Sequence, residues 1–122
     1  MFERIDSRSS TPIYAQIAAR IRVAVAAGEL AAGEALPSVR VLATRLRVNP
    51  ATVVQAYREL EQDGLVELRQ GSGTFVRDLS PDRRQRERRT EATRLVRDLL
   101  ADAARRGITP AELRTAFDEV LS

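Results

Sequence analysis

Of the side chains that ordinarily carry chemistry, this 122-residue chain has no histidine and no cysteine. That removes the commonest metal ligand and general base. It also removes any thiolate nucleophile, thiolate metal site or disulfide framework. Catalysis would have to run on carboxylates, arginines and hydroxyls, and no convincing carboxylate cluster stands in the sequence. No enzyme activity, cofactor or metal is therefore expected. Guanidinium is what the chain has in quantity. Its 20 basic residues are all arginine, against 17 acids, for a formal net charge of +3. The planar fork of arginine matches phosphate and the guanine edge. Three stretches set arginine beside other hydrogen-bonding groups: "LPSVR" ending at Arg40, "RVNPATVVQAYREL" over 47–60, and "RQGSG" over 69–73.

Those stretches need elements to position them. Four of the five prolines follow a residue that caps helices: Thr11–Pro12, Asn49–Pro50, Ser80–Pro81 and Thr109–Pro110. A cap side chain accepts from a free N–H of the first turn, and proline at the first helical position loses only an N–H without a partner. Each pair therefore predicts a helix start, and Pro50 is a boundary rather than a break. The first helix is expected from about Pro12 to Ala27, with Ile13, Ile17, Ile21 and Val25 on its core stripe and Gly28 stopping it. "GELAAGEALP" reads as a loop with a very short strand near Ala35–Leu36. A second helix starts at the cap Ser38 and ends near Leu46, with Arg40 pointing away from its apolar face. A third starts at Asn49 and ends near Asp63, before Gly64. Val53, Ala56, Tyr57 and Leu60 share its core face, while Ala51, Gln55, Arg58 and Gln62 lie opposite, flanked by Thr52 and Val54. "LVELRQGSGTFVR" then changes to a period of two and reads as a β-hairpin with a glycine-rich tip.

Residues 80–107 read as a long fourth helix. It is charged all round at first, then carries the stripe Ala92, Leu95, Val96, Leu99, Leu100 and Ala103. Thr109, Pro110 and Glu112 write a full capping box for a fifth helix, whose stripe is Leu113, Phe117, Val120 and Leu121. The expected fold class is thus mainly α with a small β-hairpin wing: a winged helix-turn-helix over 1–78, followed by two C-terminal helices over 79–122. No internal repeat, pocket-forming constellation, signal peptide or membrane-spanning run is legible, so a cytoplasmic protein is expected.

Three helices and a hairpin, with the tight connection "RLRVNP" between helices two and three, is the order of a winged helix-turn-helix. The wording goes further. "PIYAQIAARI", "GEL..GEALPSVRVLA" and "VNPATVVQAYRELEQDGLVELRQGSGTFV" resemble the DNA-binding domain of GntR-family transcriptional regulators over about residues 10–77. The "LPSVR" and "VNPATV..AY" wording, with a short helical tail, is similar to the YtrA-like subfamily. The resemblance implies a bacterial dimeric repressor that binds double-stranded DNA at an inverted-repeat operator, often one controlling transporter operons.

It also implies roles for residues. Arg40 matches the arginine that the family sends into the major groove. Asn49, Ala51, Thr52, Val54 and Gln55 occupy its reading positions, and Arg58 is placed to contact phosphate. Many relatives have arginine second in the third helix; here it is Pro50, which leaves Arg40, Thr52 and Gln55 to carry specificity. Gln55 suits adenine, and Ala51 or Val54 a thymine methyl. Gln70, Gly71, Ser72 and Gly73 match the wing tip that approaches the minor groove. Arg45, Arg47 and Arg69 are candidate phosphate contacts. Val41 stands where relatives often have an acid that would close a capping box with Ser38.

Two amphipathic tail helices cannot shield both of their stripes by themselves. A symmetric homodimer through Leu95, Val96, Leu99, Leu100, Leu113, Phe117, Val120 and Leu121 is therefore expected; the alternative is a tail that folds back on its own winged helix. Arg83, Arg84, Arg86, Arg88 and Arg89 either project into solvent or lie near DNA. The competing function is a protein-interaction module. A polar, small outward face on helix three favours DNA, and a large apolar patch there would favour protein. No small-molecule effector is identified.

Overall fold

The helix starts and stops follow from local chemistry that the structure, a computed structural model describing residues 5–122, displays atom by atom. Its elements are α1 (Ile13–Ala27), α2 (Val39–Leu46), α3 (Pro50–Gln62), β1 (Val66–Arg69), β2 (Gly73–Val76), α4 (Pro81–Arg105) and α5 (Pro110–Leu121). The Ser38 hydroxyl accepts from Val41 N–H at 3.2 Å, and the Ser80 hydroxyl from Arg83 N–H at 3.1 Å. At α5 both arms of the capping box form, with Thr109 Oγ1 accepting from Glu112 N–H and Glu112 accepting from Thr109 N–H. The Thr109 N–H and hydroxyl both donate to Glu112 Oε1 at 3.0 Å and hold that carboxyl below its usual pKa.

The cap expected at Thr11 is absent. Pro12 itself occupies the N-cap position of α1, with no side-chain hydrogen bond. Thr11 instead offers its carbonyl to the side chain of Gln16, 2.9 Å away. Gln16 reaches back from the first turn of α1 as a donor to that carbonyl, and no side chain accepts from the first-turn N–H groups.

The chain divides into two compact units, 1–87 and 88–122, with the boundary inside α4. In the first, α1 packs on α3, and α3 on α2 and β1. Ile17, Ile21, Leu42, Val53, Leu60, Leu65, Val66 and Val76 are fully buried there. Ile13, expected on the core stripe of α1, is half-buried against it, as are Val39 and Leu46 of α2. The hairpin pairs Val66 with Val76 and Arg69 with Gly73. The expected third strand is reduced to a bridge between Ala35 and Phe75. It is tied to β2 by Leu36 N–H to Thr74 O and Val76 N–H to Glu34 O, both 2.8 Å. The base of α4 stays with this unit because Leu79 enters the core and Arg83 donates to the carbonyl of Asp63 at the end of α3.

In the second unit the remainder of α4 turns into α5 at Gly107, whose φ of 75° is left-handed. Ala103 is its one buried residue. No helix among the described residues is long and apolar enough to cross a membrane.

Candidate nucleic-acid interface

The corner between α2 and α3 is set by two opposed requirements. Helix α2 must stop, and α3 must start at a fixed angle after a short turn. Arg47 stops α2 in the left-handed conformation (φ 57°), its N–H reaching the carbonyls of Ala43 and Thr44. Val48 N–H then bonds Ala43 O at 3.0 Å, the closure of a Schellman turn. Asn49 starts α3 two residues later, its side-chain oxygen accepting from Ala51 N–H at 2.9 Å. Pro50 occupies the first helical position, where its missing N–H leaves no gap.

Tyr57 fixes the start of α2 against α3. Its ring is buried on the core face, and its hydroxyl donates to Pro37 O at 2.6 Å, just ahead of the Ser38 cap. Burial pushes the Tyr57 hydroxyl well above the ordinary tyrosine pKa, so it stays a donor. Arg40, in the first turn of α2, is thereby held on a helix whose start is anchored to α3. The side chains of Arg40, Ala51, Gln55 and Arg58 are exposed, while Thr52 and Val54 are half-buried. The outward face of α3 holds only small and polar groups, and none of the exposed large apolar residues belongs to it.

Asn49 is committed on one side. Its carbonyl oxygen serves as the cap, which leaves its amide N–H groups as donors. In the wing, Gly71 (φ 79°) and Gly73 (φ 118°) take backbone conformations that other residues rarely adopt. Ser72 N–H closes the tip on Arg69 O at 2.9 Å. Arg69 is engaged within the hairpin: its Nε lies 2.8 Å from Glu67 Oε1, and its guanidinium stacks 4.3 Å from the Phe75 ring centroid. Of the four arginines expected to contact phosphate, Arg45, Arg47, Arg58 and Arg69, it therefore has the most intramolecular competition. Glu61 Oε2 accepts from Leu68 N–H at 3.0 Å and ties the wing to α3.

Several contacts that hold this surface were not legible in the sequence. Arg22 of α1 forms an ion pair with Asp63 at the end of α3. An open groove of about 650 Å³ also lies beside the α2–α3 corner, lined by Ile5 and Ser7 of the N-terminal segment together with Arg45, Arg47, Asn49 and Thr52. The sequence showed no pocket-forming pattern because these walls come from segments far apart in the chain. Among the described residues no cluster of acidic side chains is arranged to hold a metal ion.

Comparison with known proteins agrees with this geometry. Residues 13–76 match the family model described as bacterial regulatory proteins, gntR family. The chain is similar to the HTH-type transcriptional repressor YtrA of Bacillus subtilis, 36% identical over 117 residues that cover 96% of this chain and 90% of that protein. Its fold is similar to that of a GntR family transcriptional regulator from Listeria monocytogenes, with a TM-score of 0.72 and 31% identity over 91% of this chain and 96% of that one. It is also similar to the DNA-binding domain of AraR solved with its operator ORR3, with a TM-score of 0.53 and 30% identity over 58% of this chain and 86% of that one. The chain belongs to the GntR family, in its YtrA-like branch, and is a DNA-binding transcriptional regulator.

Proposed function

We propose that this regulator is a repressor that acts as a homodimer on an inverted-repeat operator. The observation that carries it is a pairing of two surfaces in one short chain. The outward face of α3 is exposed and polar, while the 88–122 unit leaves an apolar stripe uncovered. Phe117 is 53% and Val120 83% exposed in α5, and Leu95, Val96, Leu99 and Leu100 are exposed in the preceding α4. Leu113 is half-buried. A two-fold dimer buries the same stripe on both chains and presents two reading helices to two half-sites. The extent of the match to a repressor, over nearly the whole of both chains, supports repression as the outcome. Control of a transporter operon is the target that the YtrA-like resemblance supports.

In this reading Arg40 pairs with guanine through its fork, Gln55 with adenine, and Thr52 with a base edge or phosphate. Ala51 and Val54 pack on thymine methyls, Asn49 donates through its amide, and Arg58 contacts phosphate. Residues 70–73 of the wing approach the minor groove. A bidentate arginine–guanine contact contributes about 1–3 kcal/mol of discrimination. Genomic footprinting supplies the operator for the test. Arg40→Ala is expected to weaken binding to that operator about 10- to 100-fold more than binding to random duplex. An equal loss on both would reduce Arg40 to a phosphate contact. The protein-docking alternative lacks the large apolar patch on α3 that it requires.

A further inference from the structure

We propose that Arg83 is the positioning residue that indexes the base of α4 to the reading helix and thereby makes the regulator selective for one spacing of operator half-sites. This rests on the homodimer reading given above.

The starting observation is where Arg83 goes. It stands in the arginine-rich opening of α4, where side chains in solvent or near DNA are expected. Arg86, Arg88 and Arg89 are exposed there. The Arg83 guanidinium instead turns onto the end of α3 and donates through Nη2 to the carbonyl of Asp63. Its Nη1 lies over Gly64, 3.6 Å from where a Cβ would stand. Its Nε lies 3.2 Å from Oε1 of Glu87, one turn further along α4, and both side chains are half-buried. Among the described residues, Arg83 is the one side chain of α4 that hydrogen-bonds back to an earlier helix or strand.

The chemistry of a helix end explains the hold. The last carbonyls of a helix have no partner within it and carry the negative end of its dipole. A guanidinium donating there makes a charge-assisted bond. Asp63 is the C-cap residue of α3, and its carboxylate is taken by Arg22 of α1. Arg83 therefore engages main chain, which follows the helix itself rather than a rotatable side chain.

The contact has a consequence for α4. Leu79 is buried in the core, and the Ser80 hydroxyl caps the first turn. A single buried residue lets a helix swing about it, and a second contact one turn on, to a different element, removes that freedom. Arg83 supplies the second contact, and the element it chooses is the reading helix. Helix α4 runs unbroken from Pro81 to Arg105, so holding its base steadies the stripe that it carries. In a two-fold dimer the separation and rotation of the reading helices must match the half-sites. A fixed base permits one match, and a loose base permits several.

The test uses the full chain and three duplexes: the operator recovered by genomic footprinting, that operator with one base pair inserted between its half-sites, and a single half-site. The insertion turns one half-site against the other by about a tenth of a helical turn. It is expected to weaken parental binding about tenfold or more, because linked sites lose their joint affinity when the link no longer spans them. Arg83→Met keeps the aliphatic stem and removes the donors. It should bind the two full duplexes within about threefold of each other, with half-site affinity unchanged and an intact dimer in sedimentation. Arg83→Lys, which keeps a cationic donor, should restore the preference. Glu87→Gln, which removes the ion pair and spares the bond to α3, should fall between, and it serves as the test if Arg83→Met does not fold. A parental spacing preference retained in folded Arg83→Met overturns the proposal. So does a loss on the half-site equal to that on the operator, the mark of a DNA contact or a damaged α3. A parent that binds the full operator no better than the half-site would overturn the homodimer reading itself.

Discussion

The two units of this chain treat their apolar residues in opposite ways. In 1–87 the stripes of three helices and the hairpin converge, and eight large side chains are fully buried. In 88–122 the stripes are as regular, but Ala103 alone is buried and Phe117 is half-exposed. Periodicity creates an apolar face in both; only the number of elements available to cover it differs. Three helices and a wing can enclose a core, whereas two helices offer each other one side each. The first unit holds its fold from within, and the second keeps an apolar face available to a partner.

That contrast can be broken in a graded way. The largest effect is expected inside the first unit. Leu60→Ala should cost about 2–5 kcal/mol in urea denaturation, because a cavity opens in a closed core. Leu99→Ala should cost much less when measured at high dilution; similar costs would erase the distinction. Next, Leu99→Asp or Phe117→Asp should yield monomers in sedimentation, with weak operator binding and an intact winged helix by circular dichroism. An intact dimer in either variant would take the tail out of the interface.

Smaller effects compare the two helix starts. α5 has both arms of its capping box, while α2 has only the Ser38 arm, because Val41 offers no acceptor. Thr109→Ala should lower stability by about 1 kcal/mol, and Val41→Glu should raise it by a fraction of that, both readable in thermal melts. The smallest is a pH effect. The Glu112 carboxyl has a lowered pKa in the folded chain, so its contribution is present above the ordinary glutamate value of about 4.3. It is lost as pH falls through the lowered value, where the protonated group no longer accepts from Thr109. Acid titration of helicity should show this step in the parent and not in Glu112→Gln.

The sequence made most of the fold legible because helix ends are local. Asn49 and Pro50, Ser80 and Pro81, and Thr109 with Glu112 each act within one turn, and all three starts form as their residue types require. The exception, Thr11, shows the limit of that logic. α1 begins one residue later than the Thr–Pro pair predicts, which leaves Pro12, without a capping side chain, at the N-cap position. The short strand at Ala35–Leu36 was legible as a tendency, but its reduction to a single bridge depended on how β2 is held. The candidate site divides the same way. Exposure of Arg40, Ala51, Gln55 and Arg58 follows from helical spacing. The engagement of Arg69 by Glu67 and Phe75 does not.

What the sequence determined by itself was therefore the list of parts and their family: where helices start and stop, and which face of each is apolar. These depend on hydrogen bonds and spacings within a few residues. Tertiary structure decided which parts meet. Arg22 finds Asp63 across 41 residues of chain, Tyr57 reaches back to Pro37, and Gln16 clamps the backbone of Asp6. Such contacts depend on the packing of the whole core, which no local pattern encodes. Even Pro50 takes its meaning from both levels. Its place at the start of α3 was local, but the left-handed Arg47 that aims the turn before it became visible only once the corner was built.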